Sequence, residues 1–295
     1  MEILLASEMG FCFGVRRAVE MMEDATDQTG EIDSLGSVVH NPQVVAQLKE
    51  KGLDVIASLE QVTDRPVAIT AHGVSESVVR ELEDRGVSVL DTTCPIVTRS
   101  QQWAKRLTEE GFAVIVFGDP NHKETRGVLG WADGKAYAIP SIAEIDTLPD
   151  ELPTRLGVLS QTTETEAHFA EFVRALLERR MDRISELRVI NTLCNATTSQ
   201  QAAAQELANK VDLMIVIGGR ESANTRHLAA VAREEGVEAH QIESADEIER
   251  EWLEGRERVG VTAGASTPDA AIDAVVARLE KLAPQGGDTN DAAEQ

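Results

Sequence analysis

The chain has 295 residues, of which 42% are hydrophobic and 27% charged, as in an ordinary globular protein of two or three domains. Aromatic residues make up only 3%, so the core must be built from Val, Ile, Leu and Ala. The net charge of −23 repels phosphate backbones and anionic lipid, and no apolar run approaches the ~20 residues of a membrane-spanning helix, which excludes nucleic acid and membrane as bulk partners.

In chain order, short apolar runs read as strands at 3–6, 37–39, 67–70, 87–90, 113–117, 156–159, 188–190, 213–217 and 258–262. Helical periodicity falls between them at 15–25, 42–51, 75–84, 96–109, 164–180, 198–211, 224–234 and 268–282. Strands alternating with helices of this length predict an α/β protein with mainly parallel sheets. In such sheets ligands bind beyond the carboxyl ends of the strands. Residues from Ala283 on are rich in Gly, Asp and Asn without periodicity and are expected to be disordered. The first eight residues lack the basic stretch of a signal peptide, so the expected location is the cytoplasm.

Most chemically useful side chains follow the apolar runs. Three cysteines, Cys12, Cys94 and Cys194, are separated by 82 and 100 residues, and each sits where a strand hands over to a helix. That spacing suggests a threefold repeat of small α/β modules around a centre. An odd number of cysteines without a secretion signal argues for a ligand or catalytic use rather than disulfides. Three thiolates could hold an iron–sulfur cluster with one open iron, since such a cluster usually takes four. They could equally hold zinc, or be buried and inert; the spacing alone leaves all three readings open.

Three of the six histidines, His40, His72 and His122, directly follow apolar runs and together offer donors to an anion. His168, His227 and His240 fall in or near helices or on a loop and read as solvated. The loops 218–225 and 263–268 add small residues and hydroxyls ahead of helices, where backbone N–H groups suit a phosphate. Neither loop fits a nucleotide-binding motif, so a small diphosphate is the expected ligand. Glu124, two residues after His122, is a candidate proton donor if its pKa is raised.

The ordered motifs Gly-Phe-Cys12-Phe-Gly-Val, Val-His40-Asn-Pro, Ala-His72-Gly-Val-Ser, Asp-Thr-Thr-Cys94-Pro, His122-Lys-Glu124, Ser-Gln-Thr162-Thr163, Asn-Thr-Leu-Cys194-Asn, Ser222-Ala-Asn224-Thr and Ala-Gly-Ala-Ser266-Thr-Pro closely resemble the LytB/IspH family of 4-hydroxy-3-methylbut-2-enyl diphosphate reductases. The resemblance runs from about Ile3 to Leu282. It implies three α/β lobes arranged pseudo-threefold around one central 4Fe–4S cluster, held by Cys12, Cys94 and Cys194 with one iron open. The implied lobes are 13–94, 95–191, and 1–12 with 192–282. It further implies that His40, His72, His122, Ser222, Asn224 and Ser266 bind the substrate diphosphate. Glu124, with Thr162 beside it and His122, would serve proton delivery. Many members read Ser-Ser-Asn in the phosphate loop, whereas this chain has Ala223 in the middle, which leaves only backbone contact there.

The implied reaction removes the substrate hydroxyl with two electrons. It gives isopentenyl and dimethylallyl diphosphates, the last step of the non-mevalonate pathway. Ferredoxin or flavodoxin is the implied electron donor. Such donors are acidic, so a local basic patch of Arg16, Arg17, Lys105 and Arg106 is the expected docking face.

Overall fold

The computed structural model describes residues 1–283; the rest of the expected disordered tail lies outside the described residues. Three four-stranded sheets carry the fold, and every strand pair is parallel. One sheet contains β2 (Ile32–Leu35), β3 (Leu53–Ile56), β4 (Val67–Ile69) and β5 (Val89–Asp91). A second contains β6 (Ala113–Phe117), β7 (Ala136–Ile139), β8 (Arg155–Ser160) and β9 (Glu186–Val189). The third contains β10 (Leu213–Ile217), β11 (Glu238–Ile242), β12 (Arg258–Ala263) and β1 (Glu2–Leu5).

The orders are β3-β2-β4-β5, β7-β6-β8-β9 and β11-β10-β12-β1. Each sheet therefore repeats one order: second, first, third, fourth. In the third sheet the fourth place is taken by the amino-terminal strand, so the chain closes a circle of three lobes.

The central strands explain why the sheets are parallel and buried. Every residue of β6 and β10 is buried, as expected for strands covered on both faces by crossover helices. Each fully buried Val, Leu or Ile contributes about 1.5–3 kcal/mol of transfer free energy. Nine helices are described: α1 (Phe13–Thr29), α2 (Pro42–Glu50), α3 (Glu76–Asp84), α4 (Pro95–Glu109), α5 (Lys123–Leu129), α6 (Glu166–Arg180), α7 (Asn195–Ala208), α8 (Ala223–Glu234) and α9 (Asp269–Leu282). Ala18 and Met22 of α1 pack with Ile32 and Ala68 of the first sheet. Ala104 and Leu107 of α4 join Val114 and Val116 of the second, and Ala204 and Leu207 of α7 join Met214 and Val216 of the third. Each of these three helices thus begins at one lobe's cysteine and buries its apolar face in the next lobe.

The strand expected at 37–39 lies at Ile32–Leu35 instead. Its polar members Asp33 and Ser34 hid it; both are buried, and Ser34 Oγ donates to Gly36 O at 2.7 Å. Gly36, at φ +88°, then turns the chain out of the strand. Strands β3, β7 and β11 were not expected. All three lie at a sheet edge, and polar residues or alanine interrupt their apolar runs, Leu-Asp-Val-Ile, Ala-Tyr-Ala-Ile and Glu-Ala-His-Gln-Ile. Helix α5 was also unexpected, being only 7 residues long.

Candidate active site

The repeated order places equivalent side chains at equivalent strand ends. Loops after the first strands carry His40, His122 and the Ser222-Ala223-Asn224 segment. Loops after the third strands carry His72, Thr162 and Ser266. Loops after the fourth strands carry Cys94, Cys194 and Cys12. All of these, with Glu124, line one cavity where the three lobes meet.

Each cysteine is the residue that caps its helix: Cys12 on α1, Cys94 on α4 and Cys194 on α7. Each cysteine N–H donates to a carbonyl of the third-strand loop beside it, namely Ala265 at 3.1 Å, Ala71 at 3.0 Å and Thr162 at 2.9 Å. The three thiols are free and half-buried. Burial raises the pKa of Cys12 and Cys94, against hydrogen bonds from helix-start amides such as Val15 N–H and Ile96 N–H, with charge on neighbouring cysteines adding to the rise. A bound cationic centre inverts that balance and favours thiolate. Gly14 belongs to the same arrangement, because a Cβ there would lie 2.6 Å from Cys94 Sγ.

Zinc fits this set poorly. Tetrahedral Zn–S bonds near 2.3 Å hold sulfurs roughly 3.8 Å apart. Among the described residues only His40, His72 and His122 bring three ligand atoms within 4.8 Å of one another, and the sulfurs do not. Three wider-set thiols at helix starts fit a larger multi-iron unit.

The histidines pack ring against ring, with centroids 4.4 Å (His40–His72), 5.5 Å (His40–His122) and 5.7 Å (His72–His122) apart. Burial lowers His40 and His122 to about 4 and puts His72 well below its ordinary value. The nearby cations Lys123 and Arg226 lower His40 and His122 further. Such a spacing could serve a metal ion, but those two cations favour an anion. Glu124 N–H donates to His122 Nδ1 at 3.3 Å, which leaves the neutral ring's proton on Nε2. His40 Nε2 and Asn224 Oδ1 are buried and have no partner among the described residues. A polar ligand in the cavity would relieve that cost, about 1–3 kcal/mol for each group.

Glu124 is 3% exposed. Its Oε1 accepts from Thr162 N–H at 2.6 Å and its Oε2 from Thr162 Oγ1 at 2.8 Å. Burial outweighs both bonds and pushes its pKa up to about 7. Ser266 Oγ donates to His40 O at 3.2 Å, joining the first lobe to the third. Ser222 caps α8 by accepting from Thr225 N–H at 3.3 Å, and Ala223 is its buried first residue.

Several neighbours were not singled out from sequence. Thr163 and Thr197 line the cavity. Gln200 Oε1 accepts from Asn224 Nδ2 at 2.9 Å. His227, expected to be solvated, is half-buried, and its Nδ1 lies 2.6 Å from Thr163 O. Glu164, 3.9 Å from His227, is pushed up to about 7 by burial. The helical spacing of α8 puts His227 three residues after Asn224, one turn from the site, which was the available signal.

The four basic residues expected as a docking face do not act alike. Lys105 pairs with Glu76 at 2.6 Å and Arg106 with Glu110 at 2.8 Å, and each acid is shared with a second cation, Glu76 with Arg80 at 2.9 Å and Glu110 with Arg188. Arg17 is turned onto backbone carbonyls. Arg16 remains exposed, near Phe13, which is 72% exposed beside Cys12.

Comparison with known proteins agrees with this geometry. The sequence is 43% identical over 282 residues to the 4-hydroxy-3-methylbut-2-enyl diphosphate reductase of Dehalococcoides mccartyi (strain CBDB1), covering 96% of this chain and 99% of that protein. It is 41% identical to the enzyme of the same name from Geobacter sulfurreducens, covering 96% and 98%. The fold is similar to the solved E-1-hydroxy-2-methyl-but-2-enyl-4-diphosphate reductase of Plasmodium falciparum, with a TM-score of 0.88, 26% identity and coverage of 94% and 87%. A second solved structure, of (E)-4-hydroxy-3-methyl-but-2-enyl diphosphate reductase, the terminal enzyme of the non-mevalonate pathway, gives 0.68 at 35% identity, covering 95% of this chain and all of that one. The LytB protein family model matches residues 3–280, and the chain belongs to that family.

Proposed function

We propose that the chain is a reductase that removes the hydroxyl of 4-hydroxy-3-methylbut-2-enyl diphosphate, giving isopentenyl and dimethylallyl diphosphates in the last step of the non-mevalonate pathway. The observation that carries this reading is the meeting of three thiols at helix starts, three histidines and a buried carboxyl on one cavity. The names of the relatives support the same substrate.

Cys12, Cys94 and Cys194 would hold a 4Fe–4S cluster. When bound, it supplies single electrons and an open iron that acts as a Lewis acid. The chain's own residues do the rest. His40, His72, His122, Ser222, Asn224, Ser266 and the backbone of Ala223 bind the diphosphate. His122 Nε2–H is a ready donor, and the neutral imidazoles gain proton affinity as the anion enters. Holding the diphosphate at one end of the cavity orients the allylic alcohol.

Net reaction consumes two electrons and two protons; the C–O bond breaks, a C–H bond forms and water leaves. Glu124, poised near neutral pH, gives a proton to the departing oxygen, and Thr162 fixes both carboxyl oxygens for that transfer. A lobe division at 13–94, 95–191, and 1–12 with 192–282 follows the helices that begin at each cysteine. The electron donor is an acidic ferredoxin or flavodoxin docking near Phe13 and Arg16, and the setting is cytoplasmic; no described helix is long and apolar enough to cross a membrane.

Anaerobic iron–sulfur reconstitution followed by reduction tests the reading. Added substrate should perturb the cluster's spectrum and yield both five-carbon diphosphates. A reconstituted protein whose spectrum ignores the substrate and that forms neither product overturns it.

A further inference from the structure

Three side chains outside the cavity's reacting groups link the three cysteines in a circle. Arg17, on the helix that starts at Cys12, donates through Nη1 to Thr93 O at 3.2 Å and Thr92 O at 3.5 Å, in the loop ending at Cys94. Arg99, on the helix that starts at Cys94, donates to Asn191 O at 3.1 Å, in the loop ending at Cys194. Gln200, on the helix that starts at Cys194, donates through Nε2 to Gly10 O at 2.8 Å, in the loop ending at Cys12. The offsets are similar: Arg17 and Arg99 lie five residues after their cysteines and Gln200 six. Each accepting carbonyl lies one to three residues before the next cysteine.

We propose that Arg17, Arg99 and Gln200 are positioning residues that form a closed ring of latches and fix the spacing of the three thiols. The proposal rests on the cofactor reading for its purpose, but the ring itself is a property of the protein. The cysteine loops are irregular backbone drawn from three separate sheets. Within each lobe, the cysteine N–H is tied to the neighbouring third-strand loop. That tie fixes each thiol relative to the sheet whose fourth strand leads into it. The helix that begins at the cysteine packs in the next lobe, and there its latch ties it to the loop of the next cysteine, so successive thiols are linked through one lobe. Gln200 has a second task. Its Oε1 accepts from Asn224 Nδ2, so the loop of Cys12 and the expected diphosphate site share one amide. Gln200 is 5% exposed, so solvent does not compete for either bond.

Hydrogen–deuterium exchange of the full-length apo-protein tests the ring without any cluster. R17M, R99M and Q200M each remove one donor while keeping an unbranched side chain. Exchange should speed about tenfold, the scale of one lost hydrogen bond, and in a cyclic pattern. R17M should loosen 91–94, R99M 190–194, and Q200M 8–12, with the other two loops unchanged. R17K and R99K should largely restore protection. In the reconstituted holoprotein, each Met variant should release iron to a chelator faster than the wild type. Unchanged exchange in the partner loop, or equal loosening of all three loops, overturns the ring, as does unchanged iron release from a cluster-bearing protein. A wild-type chain that takes up no iron overturns the cofactor reading instead.

Discussion

Glu124 shows how position changes a residue's chemistry. In the sequence it is a carboxylate in a polar loop; in the fold it is sealed under Thr162, and burial lifts it to about 7. Glu124→Gln should keep bound iron and substrate affinity while turnover falls by two or more orders of magnitude, about the contribution of a general acid; single-turnover kinetics read this directly. Thr162→Val removes the hydroxyl that lowers the Glu124 pKa, so the basic limb of the kcat/KM profile should move to higher pH. A limb that stays in place would separate Glu124 from the titration. Gly14→Ala would set a Cβ against Cys94 Sγ, and iron content after reconstitution should drop although the helix itself gains propensity.

At the scale of elements, the site is built from helix starts. Asn41 caps α2 immediately after His40, its Oδ1 accepting from Gln43 N–H at 3.0 Å and Val44 N–H at 3.2 Å. Asn41→Ala should cost about 1 kcal/mol in denaturant unfolding and weaken diphosphate binding, since His40 sits on the cap. The helices themselves were legible because their apolar faces repeat every three or four residues. The strands β3, β7 and β11 were not, because polar residues or alanine interrupt their apolar runs, Leu-Asp-Val-Ile, Ala-Tyr-Ala-Ile and Glu-Ala-His-Gln-Ile. His227 was misjudged for another reason: periodicity assigns a residue to a helix but does not say which helix face another lobe will cover.

For the whole molecule, buried titratable groups pull stability in opposite directions. His40 and His122 titrate at about 4 in the folded chain and near 6.5 when exposed, so the unfolded chain binds more protons between those values. Stability from these groups is full above pH 6.5 and falls as pH drops towards 4. Glu124 and Glu164 titrate at about 7 when folded and near 4.5 when exposed, so their contribution is full below pH 4.5 and is lost as pH rises to 7. The two slopes offset each other between 4.5 and 6.5. The double variant Glu124→Gln with Glu164→Gln should therefore unmask a steeper rise in stability with pH over that window, measured by urea midpoints. Lys105 and Arg106 have acidic partners and Arg16 has none among the described residues, so the proposed encounter with an acidic donor should depend most on Arg16. Arg16→Glu should slow reduction by such a donor most at low salt, and more than Lys105→Glu does.

The α/β class, the strand-to-helix junctions and the residues that stand there are all legible in the linear chain. These depend on local apolar periodicity and on motifs whose order along the chain is visible. Only the folded chain shows the strand order repeated in each sheet, the burial of Glu124 under Thr162, and the cover over His227. It also shows which of the basic residues have acidic partners among the described residues. All of these are relations between residues tens to hundreds of positions apart. They arise because parallel strands gather their carboxyl ends on one side and three such sides close against one another, which no local pattern encodes.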